Sequence, residues 1–293
     1  MLIGETKMND ILNFNNYAKT LNNVTFTDYY NKLKMLAKSS FEWENLPNGI
    51  DEKWIEDMLF HYGKCMIFKD KTVGLMVSKC NEGGLVNHYD EPTCLRPVAT
   101  NFPGELKEYE NGIDCVLIRN NDDMIPTQRS VQLYAYRLTV LSRTIDINIE
   151  AMKTPILITC NEKQKNSLKQ VYKQWNGCEP VIFGSKDLDL DGVKVLKTDA
   201  PVVFDKLQIE KNHVWNECMT HLGINNANMD KRERLVDDEV QANNEQIEMF
   251  ALAMLKSREL ACKQMNEMFG LNVSVKFRDV QNEDIKVLEG GEE

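Results

Sequence analysis

The sequence predicts an α+β fold in which long helices are joined to short strands. After Pro126, the residues up to Lys153 include neither Gly nor Pro, so this stretch can form one helix of about seven turns. Between Cys65 and Asn120, short apolar runs such as CMIF and CVLI are separated by Asp, Asn, Gly and Pro, which is typical of strands and turns. The helix would be about 40 Å long, more than a compact domain of this size usually needs.

The composition is that of a folded protein with one large domain or two modest ones. Of the 293 residues, 42% are hydrophobic, and no stretch of eighteen apolar residues could cross a bilayer, so no membrane contact is expected. The N-terminus lacks the pattern of a secretory signal, and the eight cysteines form no CxxC, so we expect free thiols in a reducing cytosol. The net charge of -10 argues against a surface that wraps nucleic acid, because such binding needs Lys and Arg to neutralise phosphates. Any contact with DNA must therefore be local or weak.

The remaining elements follow from apolar spacing and from helix start and stop signals. Thr25 is predicted to cap a first helix that runs to about Glu44, and Asp51 a second helix that ends at Gly63. One face of the first helix has apolar residues at spacings of three and four: Phe26, Tyr30, Leu33, Ala37 and Phe41. Farther along, TPILITC, PVIFG and VKVL are predicted to be strands, and a short helix is predicted from Asn166 or Ser167 through Trp175. Gly223 and Gly270 are predicted to end two more helices, and LNVSVKFR is predicted to be a strand.

These signals divide the chain into consecutive segments. They are a flexible N-terminal arm at 1–25, helices and strands at 26–125, a long helix at 126–153, a mixed α/β part at 154–198, a second long helix at 199–223, a polar loop at 224–244, a helix and strand at 245–280, and an acidic tail at 281–293.

The polar loop is unusually long for a connection between helices, and such loops usually have a function. Its sequence from Asn225 to Asn244, NNANMDKRERLVDDEVQANN, has few large apolar residues and nearly balanced charge. Helices longer than their own domain predict an oligomer, because their remaining apolar face needs a partner. In a ring, the cations Lys231, Arg232 and Arg234 would repeat around the axis as a belt facing whatever passes through.

Sequence motifs of catalysis and metal binding are either incomplete or absent. DLDLDG from Asp187 matches the start of an EF-hand loop, but position twelve is Thr198 instead of Glu, so an acidic turn is the better interpretation. Cys218 and His221 lie three apart on a helix but supply only two ligands. The chain has no GxxxxGK[ST], GxSxG, HExxH or GxGxxG, so no catalytic residue, metal or cofactor is expected. Trp54, Trp175 and Trp215 are expected in the core, with an interface as the alternative.

Several stretches resemble the portal protein of small short-tailed bacteriophages (podoviruses), also called the upper collar or head–tail connector protein. In chain order they are FEWENLP (41–47), KTPILI (153–158), SLKQVY (167–172), PVIF (180–183), KTDAP (197–201), VWNE (214–217), DEVQANNEQIE (238–248) and KSRE (256–259). They fall between about residue 30 and residue 278, so the resemblance covers most of the chain.

The resemblance implies a long-helix stem around a central channel, with a mixed α/β wing that includes a small β-barrel-like part. The two long helices correspond to the stem. It further implies a dodecameric ring at one capsid vertex, assembled in the host cytoplasm and kept in the virion. Double-stranded DNA would be packaged and ejected through the ring. The partners would be the major capsid protein, a separate packaging ATPase, and lower collar or tail proteins, and the chain itself would not be an enzyme.

The resemblance also assigns candidate residues to the DNA channel. The family's channel carries lysine rings, which match Lys197, Lys206, Lys231 and Arg232 here, with Arg234 beside them. Arg at 232 keeps the charge but can bind phosphate bidentately, unlike Lys. The polar loop matches the family's tunnel loop, in which we single out Asn225, Asn228, Asp230, Asp237, Asp238, Asn243 and Asn244. Binding of a packaging RNA is doubtful, because only Lys7 is basic before Lys19, whereas relatives begin with a basic arm.

Two alternatives remain open from the residues alone. One is a capsid or tail adaptor that never contacts DNA. The other is a metal-dependent nuclease that uses Asp237 and Asp238, which requires a pocket that the sequence does not indicate.

Overall fold

The computed structural model describes residues 17–99, 107–152, 156–158, 193–195, 203–225 and 237–278. The elements are α1 (Tyr17–Ser39), β1 (Phe41–Glu44), α2 (Glu52–Tyr62), β2 (Lys64–Asp70), β3 (Gly74–Val86), β4 (Pro92–Val98), β5 (Tyr109–Glu110), β6 (Cys115–Arg119), α3 (Thr127–Met152), β7 (Ile156–Ile158), β8 (Val193–Val195), α4 (Phe204–His221), α5 (Asp237–Phe269) and β9 (Ser274–Phe277). They form two compact units, one of Met1–Thr139 with Asn212–Glu293 and the other of Val140–Lys211.

The larger unit is built on a curled antiparallel sheet of five strands in the order β5-β4-β3-β2-β6. Ile67 at the centre of β2 pairs with Val77 of β3 on one side and Val116 of β6 on the other. The ladder between β3 and β4 is irregular between Gly83 and Val86, and such a bulge bends a strand. Among the described strands the sheet stays open between β5 and β6, so the predicted barrel-like part is a half-barrel.

A second, two-stranded sheet joins β1 to β9 and completes the core of the same unit. Phe41 pairs with Phe277 and Trp43 with Val275. Buried residues from both sheets and from two helices form one cluster: Phe41, Trp43, Ile55, Leu59, Cys65, Ile67, Val116, Ile118, Ala261, Cys262, Met265, Val273 and Val275. The core therefore brings the first described strand against the last one.

A buried ion pair stands at the centre of this core, and we call it and its neighbours the Arg258 junction. Arg258 on α5 is 1% exposed, and its Nε and Nη2 donate to the two carboxylate oxygens of Glu56 on α2, at 2.9 and 2.8 Å. Its Nη1 donates to the backbone oxygen of Asn120, and its guanidinium lies 3.9 Å from the ring centroid of Phe41. The indole Nε1 of Trp43 donates to Glu56 at 2.9 Å. The bidentate geometry and the extra donors offset the cost of burying both charges.

Helix α2 has the ends that the sequence predicts. The side chain of Asp51 accepts a hydrogen bond from the backbone N–H of Lys53, and Gly63 ends the helix with φ of 74°. A Cβ at Gly63 would lie 1.9 Å from the backbone oxygen of Met124, so the position needs glycine for space as well as for conformation.

The prediction for the first helix was wrong at both ends. The helix begins at Tyr17, inside the predicted flexible arm, and Thr25 lies within it, where its hydroxyl donates to the backbone oxygen of Leu21. The turns of α1 before Thr25 are largely exposed and lack the apolar period of the residues that follow, so the sequence did not indicate them as helix. Residues 41–44 form a strand with the alternating burial expected of one, although the spacing from Ala37 to Phe41 also fits a helix.

The smaller unit contains the second half of α3, the pair β7 and β8, and the first half of α4. Strands β7 and β8 are antiparallel, with Leu157 opposite Lys194, which confirms the predicted strands in TPILITC and VKVL. The side-chain oxygen of Asn148 accepts a hydrogen bond from the backbone N–H of Val203 just before α4. The predicted PVIFG strand, the helix from residue 166, Trp175 and the DLDLDG turn lie outside the described residues.

The described cysteines are free, and most are buried. Burial raises the pKa of the Cys115 thiol to about 12 and that of Cys218 to about 12, so both are protonated at neutral pH. No described helix is long and apolar enough to cross a membrane.

Candidate nucleic-acid interface

Of the predicted channel cations, the structure describes Lys206, which is exposed in the first turn of α4. The other four, Lys197, Lys231, Arg232 and Arg234, lie outside the described residues, as do Asn228 and Asp230 of the predicted tunnel loop. Asn225 is exposed at the last described position after α4. The described part of the site therefore consists of Lys206 and the two helix ends that flank the predicted loop, the C-terminal end of α4 and the N-terminal end of α5.

The second half of the predicted loop is helical, which corrects its boundary. Helix α5 begins at Asp237, so Asp237, Asp238, Asn243 and Asn244 lie in its first turns. Adjacent acidic residues are favoured at a helix start, because the positive end of the helix dipole attracts them. The polar composition of 237–244 indicated a loop, but it also suits an amino-terminal helix extension. The connection between α4 and α5 therefore comprises residues 222–236, of which 222–225 are described.

The first end of this connection is fixed by the cap of α4. The N–H of Ile224 donates to the oxygen of Met219 and that of Gly223 to Thr220, at 2.9 and 3.0 Å, while Gly223 has φ of 70°. These two bonds form a Schellman motif. A Cβ at Gly223 would lie 2.8 Å from Cα of Ala251, so the end of α4 packs directly on the backbone of α5.

Helix α5 extends well beyond this contact toward the connection. From Ala251 back to Asp237 the helix rises by about 20 Å, at 1.5 Å per residue. The connection from Asn225 therefore joins an anchored helix end to the far tip of a long helix.

Helices α3 and α4 are held together next to this cap. Arg137 and Tyr134 of α3 both donate to the carboxylate of Glu217, at 2.8 and 3.3 Å. His221 lies between the rings of Tyr134 and Phe250, with centroids 6.0 and 5.4 Å away, and burial lowers its pKa. A neutral imidazole among aromatic rings is a packing residue.

A metal site at Cys218 and His221 is not supported by this environment. Cys218 is fully buried, and the described residues contain no group of three His, Cys, Asp or Glu able to hold a metal ion.

Trp54 is exposed and Trp215 is half-buried, so the expectation of a core position was wrong for Trp54.

One face of α3 exposes large apolar side chains at spacings of three, four and seven, and we call it the α3 face. Leu133 is 57% exposed and Tyr136 is 61% exposed, and Val140 and Ile147 continue the row. These positions follow the heptad-like spacing of a helix that packs against another helix. The length of the helices predicted an apolar face that needs a partner, and the spacing of these residues in the sequence would have located it.

The model of the family described as Phage Connector (GP10) matches residues 9–281 of the chain. The chain belongs to the phage connector family. Membership places it among the portal, or head–tail connector, proteins of virions, and it confirms the resemblance on which the sequence analysis relied.

Several solved structures align with this connector, and one of them shares its fold at a TM-score above 0.5. A chain in the portal and tail of native bacteriophage P68 aligns with a TM-score of 0.51 at 14% identity, covering 98% of this connector and 96% of that chain. A chain in the virion of a native gene transfer agent particle gives a TM-score of 0.46 at 9% identity, covering 89% and 82%. An HK97 family phage portal protein from Corynebacterium diphtheriae gives 0.40 at 11% identity, covering 92% and 96%. At 14% identity, the alignment with P68 concerns the fold alone.

Several stretches behind the resemblance meet in the structure of this connector. Arg258 of KSRE lies over Phe41 of FEWENLP, and Trp43 of the same stretch donates to the carboxylate that Arg258 binds. Glu217 of VWNE binds Arg137 of α3. The described residues of these stretches thus make contacts between different secondary-structure elements. These contacts were not predicted from the sequence.

Proposed function

We propose that this connector forms a dodecameric ring at the head–tail junction and that double-stranded DNA is packaged and ejected through its centre. The family match over residues 9–281 carries the proposal. The fold shared with a chain in the portal and tail of bacteriophage P68 supports it.

The α3 face is the candidate contact between subunits of the ring. Burying a large aliphatic or aromatic side chain contributes about 1.5–3 kcal/mol, so a row of four provides substantial association energy. A ring requires two different patches on each subunit, since its contacts run head to tail. The α3 face is one of the two.

DNA contact in this ring is weak and repeated. Lys197, Lys206, Lys231, Arg232 and Arg234 are the proposed channel cations, while the whole chain has a net charge of -10. An acidic wall with a few cations favours sliding of a polyanion, because tight phosphate binding would hold it in place. Residues 226–236, attached to the capped end of α4 and to the tip of α5, form the proposed contact segment.

The ring supplies no chemistry of its own in this proposal. The sequence contains no phosphate-binding loop, so a separate ATPase drives packaging. The major capsid protein and the lower collar or tail proteins are the proposed neighbours on either side.

Removal of two cations from residues 226–236 tests the DNA contact. We expect Lys231→Ala with Arg232→Ala to leave ring assembly intact, as seen in averages of negatively stained particles, and to reduce retention of packaged DNA. Lys256→Ala, an exposed cation on α5, is the matched control and should retain DNA like the unmodified protein.

Three results would contradict the proposal, each in a different way. Unchanged retention in the double variant removes residues 226–236 from the mechanism and favours an adaptor without DNA contact. Particles that are not annular rule out the ring. Metal-dependent nuclease turnover by the purified chain, lost in Asp237→Ala, identifies an enzyme instead.

A further inference from the structure

The open side of the half-barrel contains a groove that the proposed function does not use. It has a volume of about 320 Å³ and lies between the β3–β4 turn, β6 and α5. We call it the carboxylate groove, after the residues that characterise its lining: Glu91, Glu110, Leu117, Arg119, Asp122 and Leu260. All of it lies within the larger unit.

Hydrogen bonds connect the residues of the groove wall on the side of the β3–β4 turn. The side-chain oxygen of Asn87 accepts hydrogen bonds from the N–H groups of Tyr89 and Glu91, at 2.8 and 3.0 Å. Arg119 of β6 donates to Glu91 across the opening at 2.7 Å, and Asn87 donates to the other oxygen of the same carboxylate. Glu91 and Arg119 therefore compensate each other.

Two carboxylates in the lining remain uncompensated. No ion pair within the described part of the chain includes Glu110 or Asp122, and both are exposed. Asp122 accepts a hydrogen bond from the hydroxyl of Ser257 at 3.1 Å, which positions its carboxylate without neutralising it. The groove thus presents negative charge to an incoming group.

Large apolar side chains surround this charge on the same elements. Leu260, in the groove lining, is 55% exposed. Leu85 and Tyr89 of the β3–β4 hairpin are 84% and 75% exposed, and Ile113 beside the lining residue Gly112 is also exposed. Exposed aromatic and aliphatic anchors next to a shaped cavity are typical of surfaces that bind protein.

From this geometry we infer that the carboxylate groove binds an extended segment of another virion protein in which one Lys or Arg lies between apolar residues. The cation would pair with Glu110 and Asp122, while its apolar neighbours would cover Leu260 and the hairpin. A second copy of this chain is a poorer match, because its net charge is -10. Its C-terminal segment has Lys286 between apolar residues, but Glu283, Asp284 and Glu289 flank that run, and their charges would be repelled by Glu110 and Asp122. The inference rests on the proposed function, since a subunit at the head–tail junction meets other particle proteins.

Two synthetic peptides test this recognition on the purified full-length protein. One has a single Arg within alternating Val and Thr, and the other has Glu in place of Arg. Fluorescence anisotropy should show that the Arg peptide binds at least about ten times more tightly than the Glu peptide. Glu110→Lys should abolish that preference, because the new cation offsets Asp122, and Leu260→Asp should weaken binding of both peptides.

Matched variants on the same helix control for general effects of charge and polarity. Glu267→Lys and Leu252→Asp are exposed positions of α5 outside the groove, and we expect unchanged peptide binding for both. Circular dichroism identifies any variant that fails to fold, and the loss of preference in Glu110→Lys does not depend on the Leu260 variant.

Other results would overturn the inference. Equal binding of the two peptides, binding of neither, or an equal loss in the control variants would each exclude recognition at the groove. Dissociation of the ring by Leu260→Asp would assign the groove to a second copy instead. Loss of DNA retention in the Lys231 and Arg232 variant leaves the peptide result untouched, so failure of either proposal can be recognised separately.

Discussion

The Arg258 junction buries charged groups, which water solvates well, whereas the α3 face exposes apolar groups, which water solvates poorly. At the junction, two charges are buried, and every neighbour that compensates them comes from the same chain. On the α3 face, large apolar side chains are exposed, and no described residue covers them. The comparison teaches that the buried charges of the larger unit are compensated within one chain, whereas in the proposed ring another copy would cover the surface of α3.

The largest expected effect on the stability of one chain comes from breaking the junction. Arg258→Ala leaves Glu56 buried without its cation, and such a change typically costs about 3–5 kcal/mol. Urea unfolding at a fixed protomer concentration measures this cost. Lys263→Ala, an exposed cation on the same helix, should stay within about 0.5 kcal/mol of the unmodified protein.

A second variant separates the effect of the unpaired charge on stability from the effect of the cavity left by the Arg258 side chain. Arg258→Met with Glu56→Leu removes both charges and should be more stable than Arg258→Ala alone, because no carboxylate is left unpaired. A double variant as unstable as Arg258→Ala would show that packing, not charge compensation, dominates at the junction.

The α3 face should respond in the opposite way, with a large effect on assembly and a small one on the chain. Leu133→Asp with Tyr136→Asp puts carboxylates where a partner helix would pack, so we expect sedimentation to show loss of the ring. Far-ultraviolet circular dichroism and the unfolding midpoint of the dissociated chain should change little. Gln132→Asp, an exposed polar position of the same helix, is the control and should assemble normally.

The exposed ion pair between Arg137 and Glu217 should give the smallest effect. It has the same types of groups as the junction, but the side chains are 39% and 54% exposed. Solvent screening limits such pairs to about 0.2–1 kcal/mol. A double-mutant cycle with Arg137→Ala and Glu217→Ala measures the coupling, and a value above that of the Arg258 junction would invalidate the comparison.

Local signals in the sequence were enough for much of the fold. Helix α3 matches its predicted bounds within a residue, since no Gly or Pro interrupts it, and Gly63 and Gly223 end the helices that precede them. The strands from Lys64 to Arg119 and the strand after α5 are also confirmed.

Contacts between distant residues had no such signal. Arg258 and Glu56 are separated by 202 residues, and neither belongs to a local pattern that indicates a buried pair. For the candidate site, the sequence supplied the family and the residue types. The structure adds the positions of Lys206, of the cap at Gly223 and of the start of α5, while the roles of the channel cations stay predictions.

The pairing of β1 with β9 has a consequence for the order of events during synthesis. Glu44 and Ser274, which contact each other across this pair, are separated by 230 residues. At ribosomal speeds of about 5–20 residues per second, roughly 10–50 s pass between their appearance. During that time the nascent chain has Phe41, Trp43 and the carboxylate of Glu56 without their partners. A chain that ends before β9 cannot close this core, so truncated products of translation would expose Phe41 and Trp43.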